Sequence, residues 1–249
     1  MKLYANGDSW TLGEGLNHPD HPGPYNLRIQ DNINWALAHS WPAKLAALLD
    51  VDHVNHGESG GSNDRIVRTT LDYICSNDCS DLLIIIGWSH PYRREIHCID
   101  YQGNSVNDAG SRWRKLLPNA DMMKNIPGGS NWNQFYIAVG WNDYESYLRF
   151  FNQVMLLSSF LRQRAIPYIF FNAFEDPIMA SYSTPISVRH LCDNVSWSDF
   201  MSSNGNTDGW CQRLINEHNQ ALPCRHPTEI GHQIIAAAIF AELKKRNMI

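Results

Sequence analysis

The chain has 249 residues, 43% hydrophobic and 18% charged, an ordinary composition for a folded protein with one substantial core. Its formal net charge of −5 supplies no global basic field, which argues against a nucleic-acid partner. No stretch approaches the roughly 20 apolar residues of a membrane span, and MKLYANGDSW lacks the apolar segment of a secretory signal. A cytoplasmic location is therefore expected, with a virion or another assembly left open.

Six cysteines are scattered without paired CxxC spacing, and free thiols are expected. Cys75 and Cys79, the closest pair, can share one face of a helix.

The first apolar run, Leu3 to Ala5, breaks at Gly7 and reads as a short strand entering a turn. Residues 11–33 are polar, rich in Gly, Pro, Asn and His, and read as a long loop or insertion. Ser40-Trp41-Pro42 opens a helix, because serine can cap, proline is tolerated in the first turn and AKLAALL follows. Val51 to Val54 reads as a second short strand, ending in NHGESGGSND. The spacing then predicts a helix from about Ser62 to Cys75, with Ile66, Thr70, Tyr73 and Ile74 turned inward.

Leu82 to Ile86 is the strongest strand signal, and its unbroken apolar character suits a central parallel strand covered on both faces. Residues 97–140 lack a clean period and read as a second insertion. A helix is predicted over about 144–163, with Leu148, Phe151, Met155, Leu156, Phe160 and Leu161 as its apolar stripe. Ile166 to Phe171 reads as the next strand, 172–220 as loops with weak helical stretches, and Glu229 to Lys245 as the last helix. This alternation predicts an α/β protein with three layers, α/β/α. One domain over 1–249 is expected, with about five parallel strands, the fifth lying within 172–225.

Ligand sites in open parallel sheets lie at the carboxyl ends of the strands. Gly7-Asp8-Ser9, Asn55-His56-Gly57-Glu58-Ser59-Gly60 and Gly87-Trp88-Ser89 all fall there, and His226-Pro-Thr-Glu-Ile-Gly-His232 opens the last helix. In this order and on these elements the blocks resemble the SGNH, or GDSL, hydrolase superfamily, over nearly the whole chain. The resemblance implies a flavodoxin-like sheet and cleavage of esters or, less often, other acyl bonds. It makes Ser9 the nucleophile and His226 the base that takes the serine proton and returns it to the leaving group. It draws oxyanion donors from the backbone N–H of Ser9, the N–H of Gly60 and a side chain of the third block. Gly60 also reads simply as a turn glycine with positive φ.

Two positions depart from the family. Where it has Gly-x-Asn-Asp, this chain has Gly87-Trp88-Ser89-His90. Ser89 donates one hydrogen bond over a shorter reach, and His90 or Arg93 is a source of the missing positive potential. Where the family places an acid three residues before its histidine, this chain has Pro223. Either a backbone carbonyl orients His226, or a carboxylate arrives from elsewhere, with Glu175, Asp193 and Asp208 as candidates. His232 is a rival base that more simply packs or caps.

Asp8, Trp10, Trp88, His90 and Arg93 are candidates for substrate binding. Among nine tryptophans, Trp10, Trp88, Trp113, Trp132, Trp141, Trp197 and Trp210 fall in or near loops, where rings can stack on sugars or pack the core. NHGESGG lacks the lysine and spacing of a phosphate loop, and His18-Pro-Asp-His21 reads as a loop rather than a metal site, so no cofactor or metal is expected. The expected function is a serine hydrolase acting on an ester, with a small molecule or carbohydrate O-acyl ester as partner and the oligomeric state open. The alternative is a non-catalytic carbohydrate-binding or structural protein that retains the fold.

Overall fold

An apolar run such as Leu82–Ile86 is stable only where both faces of a sheet are covered. The computed structural model of the protein describes residues 1–21, 26, 29–97, 113–116, 134, 136–140, 142–175, 186–202 and 208–249. In it β1 (Lys2–Asn6), β2 (Asp52–Asn55), β3 (Leu82–Trp88) and a later strand at Tyr168–Asn172 form a parallel sheet. All seven residues of β3 are buried. Its register pairs Tyr4 with Ile84 on one side and Phe170 with Ile86 on the other.

A two-stranded antiparallel hairpin, β4 (Arg94–His97) and β5 (Trp113–Leu116), lies outside this sheet, which makes Tyr168–Asn172 β6. The sheet order is β2-β1-β3-β6, the flavodoxin-like arrangement. Among the described residues the parallel sheet has four strands, and parts of 172–225, where a fifth is expected, lie outside them. The chain returns to the edge of β6 through a 3-10 turn at Trp197–Asp199, and Phe200 bridges Phe170 there.

Alternate strand residues face opposite helix layers. Tyr4, Ile84, Ile86, Trp88 and Phe170 meet α4 (Asn63–Ser76) and the long helix Asp143–Gln163, α5. Leu3, Ala5, Leu83, Ile85, Ile169 and Phe171 meet α3 (Trp41–Leu49), Trp210–Glu217 (α7) and Glu229–Lys245 (α8). In chain order α6, Arg189–Cys192, lies between α5 and α7 and packs on the α5 side. The helices α4, α5 and α8 fall within about one residue of the sequence expectation.

Several expectations are corrected. Residues 11–33 are not one loop, because α1 (Ser9–Leu12) and α2 (Gln30–His39) occupy its ends. Ser40 stands at the cap position of α3 but makes no side-chain cap: its hydroxyl donates to Leu37 O at 3.0 Å. Leu156 is 56% exposed and leaves the apolar stripe of α5. Trp132 and Trp141 lie outside the described residues. Cys75, Cys79, Cys192, Cys211 and Cys224 are free thiols. Among the described residues, no helix is long and apolar enough to cross a membrane.

Candidate active site

The carboxyl end of β1 is shaped by Gly7. A Cβ there would lie 2.1 Å from Thr11 Oγ1 and 3.0 Å from Gly87 O, so any side chain would drive β1 off its neighbours. Asp8 then caps α1, with Oδ1 accepting from Trp10 N at 3.0 Å. Ser9 is the first residue of this short helix and is only 5% exposed. Its hydroxyl has no hydrogen-bond partner among the described residues. Its carbonyl accepts from Gly13 N and Glu14 N at 3.0 and 2.9 Å, which turns Glu14 back over the start of the helix.

Asp8 is almost fully buried, and its second oxygen organises the third block. Oδ2 accepts from Ser89 Oγ at 3.0 Å and from Arg93 Nη1 at 3.1 Å, and the same Nη1 lies 2.9 Å from Ser89 Oγ. The guanidinium lies 4.8 Å over the Phe174 ring, which meets Trp10 edge-on at 5.2 Å. Burial raises the Asp8 pKa; Arg93, the Trp10 N–H, Ser89 and His226 oppose that rise. Ser89 itself is held by Asn63, which accepts from Ser89 N at 2.8 Å and donates to Ser89 O at 3.0 Å. The sequence reading missed Asn63, whose signal is its place at the start of α4, just after the glycine-rich turn.

Block two is laid on the same edge. His56 N donates to Ala5 O at 2.8 Å, Glu58 N to Gly7 O at 3.2 Å, and Asn55 Nδ2 to Thr11 O at 2.8 Å. Gly60 has φ +64°, the left-handed conformation that suits glycine. Gly61 packs directly on block one, since a Cβ there would lie 3.3 Å from Asp8 Cα. Glu58 pairs with Arg65 and Lys115, and Lys115 also donates to Ser59 O, fastening the hairpin to this turn.

His226 arrives on a tight turn, with Leu222 N donating to His226 O at 2.7 Å and Ala221 bridging Pro227. Its Nε2 lies 3.9 Å from Glu14 Oε2, and its Nδ1 is buried without a hydrogen-bond partner among the described residues. Glu14 is the second residue that sequence reasoning missed. Two of the candidate acids are engaged elsewhere and the third is exposed. Glu175 accepts from Tyr147 OH at 2.7 Å and lies 3.4 Å from His90 Nε2. Asp208 accepts from Asn216 at 3.1 Å, and Asp193 is exposed at the end of α6.

The remaining candidates separate by burial and charge. Trp10 and Trp88 both lie in the core, Trp88 edge-on to Phe150 and Phe170. Burial, with Arg93 beside it, lowers the His90 pKa to about 4 and keeps the ring neutral at physiological pH. The positive charge at this edge therefore comes from Arg93. His232 is fully buried; its Nδ1 accepts from Trp41 N at 3.1 Å, and burial lowers its pKa to about 3. Among the described residues, no group of three or more His, Cys, Asp or Glu could hold a metal ion.

A parallel sheet ordered β2-β1-β3-β6 with helices on both faces defines an α/β protein of the flavodoxin-like kind. The chain belongs to DUF6071, a family of unknown function, whose model matches residues 28–248. That range takes in Gly60, Ser89 and His226 and begins after Ser9. No curated protein matches the sequence.

Similar solved structures include a member of the lipolytic protein G-D-S-L family from Veillonella parvula. It is 12% identical over 95% of this chain and 94% of that one, with TM-score 0.42. An acetyl xylan esterase from Geobacillus stearothermophilus is 18% identical over 97% and 94%, with TM-score 0.46. Another, from the rumen bacterium Butyrivibrio proteoclasticus, is 14% identical over 98% of this chain and 63% of that one, with TM-score 0.47. At these identities the likeness concerns fold alone.

Proposed function

We propose that the protein is a serine hydrolase that cleaves an ester, with Ser9 as nucleophile and His226 as base, and that its substrate is an O-acyl ester of a carbohydrate or small molecule. One observation carries this reading. The turn after α1 joins the two residues: Glu14 N is bonded to the carbonyl of Ser9, and the Glu14 carboxylate faces His226 Nε2. A nucleophile at a strand end and a histidine at the start of the last helix thus share one edge of the sheet. In an unliganded site the hydrogen bond between nucleophile and base is commonly long and tightens only with substrate.

In this mechanism Ser9 Oγ attacks the acyl carbon while its proton passes to His226, and the carbonyl electron pair moves onto oxygen. The N–H groups of Ser9 and Gly60 receive that oxyanion. Ser89 stands in the family's asparagine position, but its proton is directed at Asp8, so Arg93 supplies the positive potential there. Collapse breaks the ester C–O bond, and the leaving alkoxide takes the proton from His226. Water then attacks the acyl-enzyme with the same proton transfers and frees Ser9. With Asp8, Trp10 and Trp88 in the core, His90 and Arg93 are the binding candidates that keep part of their side chains exposed.

A non-catalytic carbohydrate-binding reading is favoured by the engaged Ser89 hydroxyl and by the Nδ1 of His226, which has no partner among the described residues. A fluorophosphonate probe and p-nitrophenyl acetate separate the two. The wild type is expected to be labelled and to turn over ester, with Ser9→Ala losing at least about 10³-fold. Absence of labelling and turnover in the wild type across several esters sinks the hydrolase reading.

A further inference from the structure

We propose that Glu14 is the positioning carboxylate of His226, standing in for the acid that Pro223 displaces; this rests on the Ser9–His226 reading. Three observations carry it. The backbone of Glu14 is fixed to the nucleophile's own peptide by its N–H bond to Ser9 O at 2.9 Å. It sits between Gly13 at φ +91° and Gly15 at φ +98°, left-handed positions that fold the chain back on itself. Gly15 also lets the histidine close in, since a Cβ there would lie 3.3 Å from His226 Cβ and 2.8 Å from Leu222 Cδ1. The glycines on either side thus place the carboxylate and the imidazole against each other.

The resulting pair is partly shielded, with side chains 21% and 18% exposed, so its charge is less screened than on an open surface. Glu14 approaches Nε2, whereas the family's acid holds Nδ1. It therefore does not set the tautomer through a hydrogen bond. Its contribution is charge: when the proton of Ser9 reaches His226, the imidazolium forms with its Nε2 3.9 Å from the Glu14 carboxylate. Such a contribution appears when the base is charged and is absent from the binding step, so it acts on rate and not on affinity.

The test is the kinetics of fluorophosphonate labelling, which need no knowledge of the natural substrate. Ser9 Oγ forms a bond to phosphorus, the P–F bond breaks, fluoride leaves and the serine proton goes to His226. In Glu14→Gln the maximal labelling rate is expected to fall about 10- to 100-fold, with probe affinity within about twofold and an unchanged circular dichroism spectrum. Glu14→Asp, which keeps the charge, should recover most of the rate.

A Glu14→Gln rate within about twofold of wild type, with labelling still dependent on Ser9, overturns this inference and leaves the hydrolase reading standing. A Glu14→Asp variant as slow as Glu14→Gln also overturns it, because charge is then not the cause. Wild-type protein that shows no Ser9-dependent labelling removes both.

Discussion

Asp8 is held in the interior by unequal and opposing influences. Burial raises its pKa above the ordinary carboxylate value, and Arg93 is the largest influence acting the other way. A folded-state value above the unfolded one means that the folded protein binds the proton more tightly. This contribution to stability is complete below the unfolded value and is lost as pH rises through the folded one. Urea denaturation from about pH 4 to about pH 8 should therefore show Asp8→Asn losing less stability with rising pH than the wild type. Arg93→Met should lose more, and near neutrality it should cost about 3–5 kcal/mol, because it strands a buried charge. If Arg93→Met follows the wild-type pH dependence, Arg93 is not the counter-charge of Asp8. The comparison is between variants, since His232 titrates in the same range with opposite sign.

That opposite sign belongs to the contact between α3 and α8. His232, one turn into α8, accepts the Trp41 N–H at the start of α3, so the two helices are joined by an imidazole that must stay neutral. Its folded value of about 3 lies below the ordinary 6.5. Its contribution is therefore complete above the unfolded value and falls as the solution is acidified, by about 1.4 kcal/mol per pH unit. His232→Leu should cost about 1–3 kcal/mol near neutrality and flatten the acid side of the stability curve, read by the same denaturation series. An unchanged acid slope would show that His232 is not the group titrating.

The same pair of helices marks the limit of what sequence discloses. The elements β3, α4, α5 and α8 are legible because an unbroken apolar run or a stripe at helical spacing marks them. The helix α2 is not, since only Asn32 and Ala36 are buried and its polar faces carry no period. Ser40 looks like a cap by type, yet the donor beside it finds a histidine 191 residues away. In the candidate site, Gly7, Asp8, Ser9 and His226 are marked by type and spacing. Asn63 and Glu14 are not, because their roles arise only where separate segments meet at the strand ends.

At the scale of the molecule the sheet divides the interior into two apolar clusters whose members touch opposite faces. Ile66 on α4 packs with Tyr4, Ile84 and Ile86, whereas Ile239 on α8 packs with Leu3, Leu83 and Ile85. Both side chains are fully buried, so replacing either with alanine should cost about 2–5 kcal/mol through lost transfer energy and the cavity left behind. The sheet stands between them and they share no cluster, so the double variant should lose the sum of the two within about 0.5 kcal/mol. Ile66→Ala with Ile84→Ala, drawn from one cluster, should depart from additivity by about 0.5–3 kcal/mol, since each cavity changes how the other relaxes. Urea denaturation of the single and double variants reads both cycles. Strong coupling between Ile66 and Ile239 would mean that β3 transmits strain across its thickness instead of separating the two layers. The strand end that carries Ser89 would then respond to packing on either face.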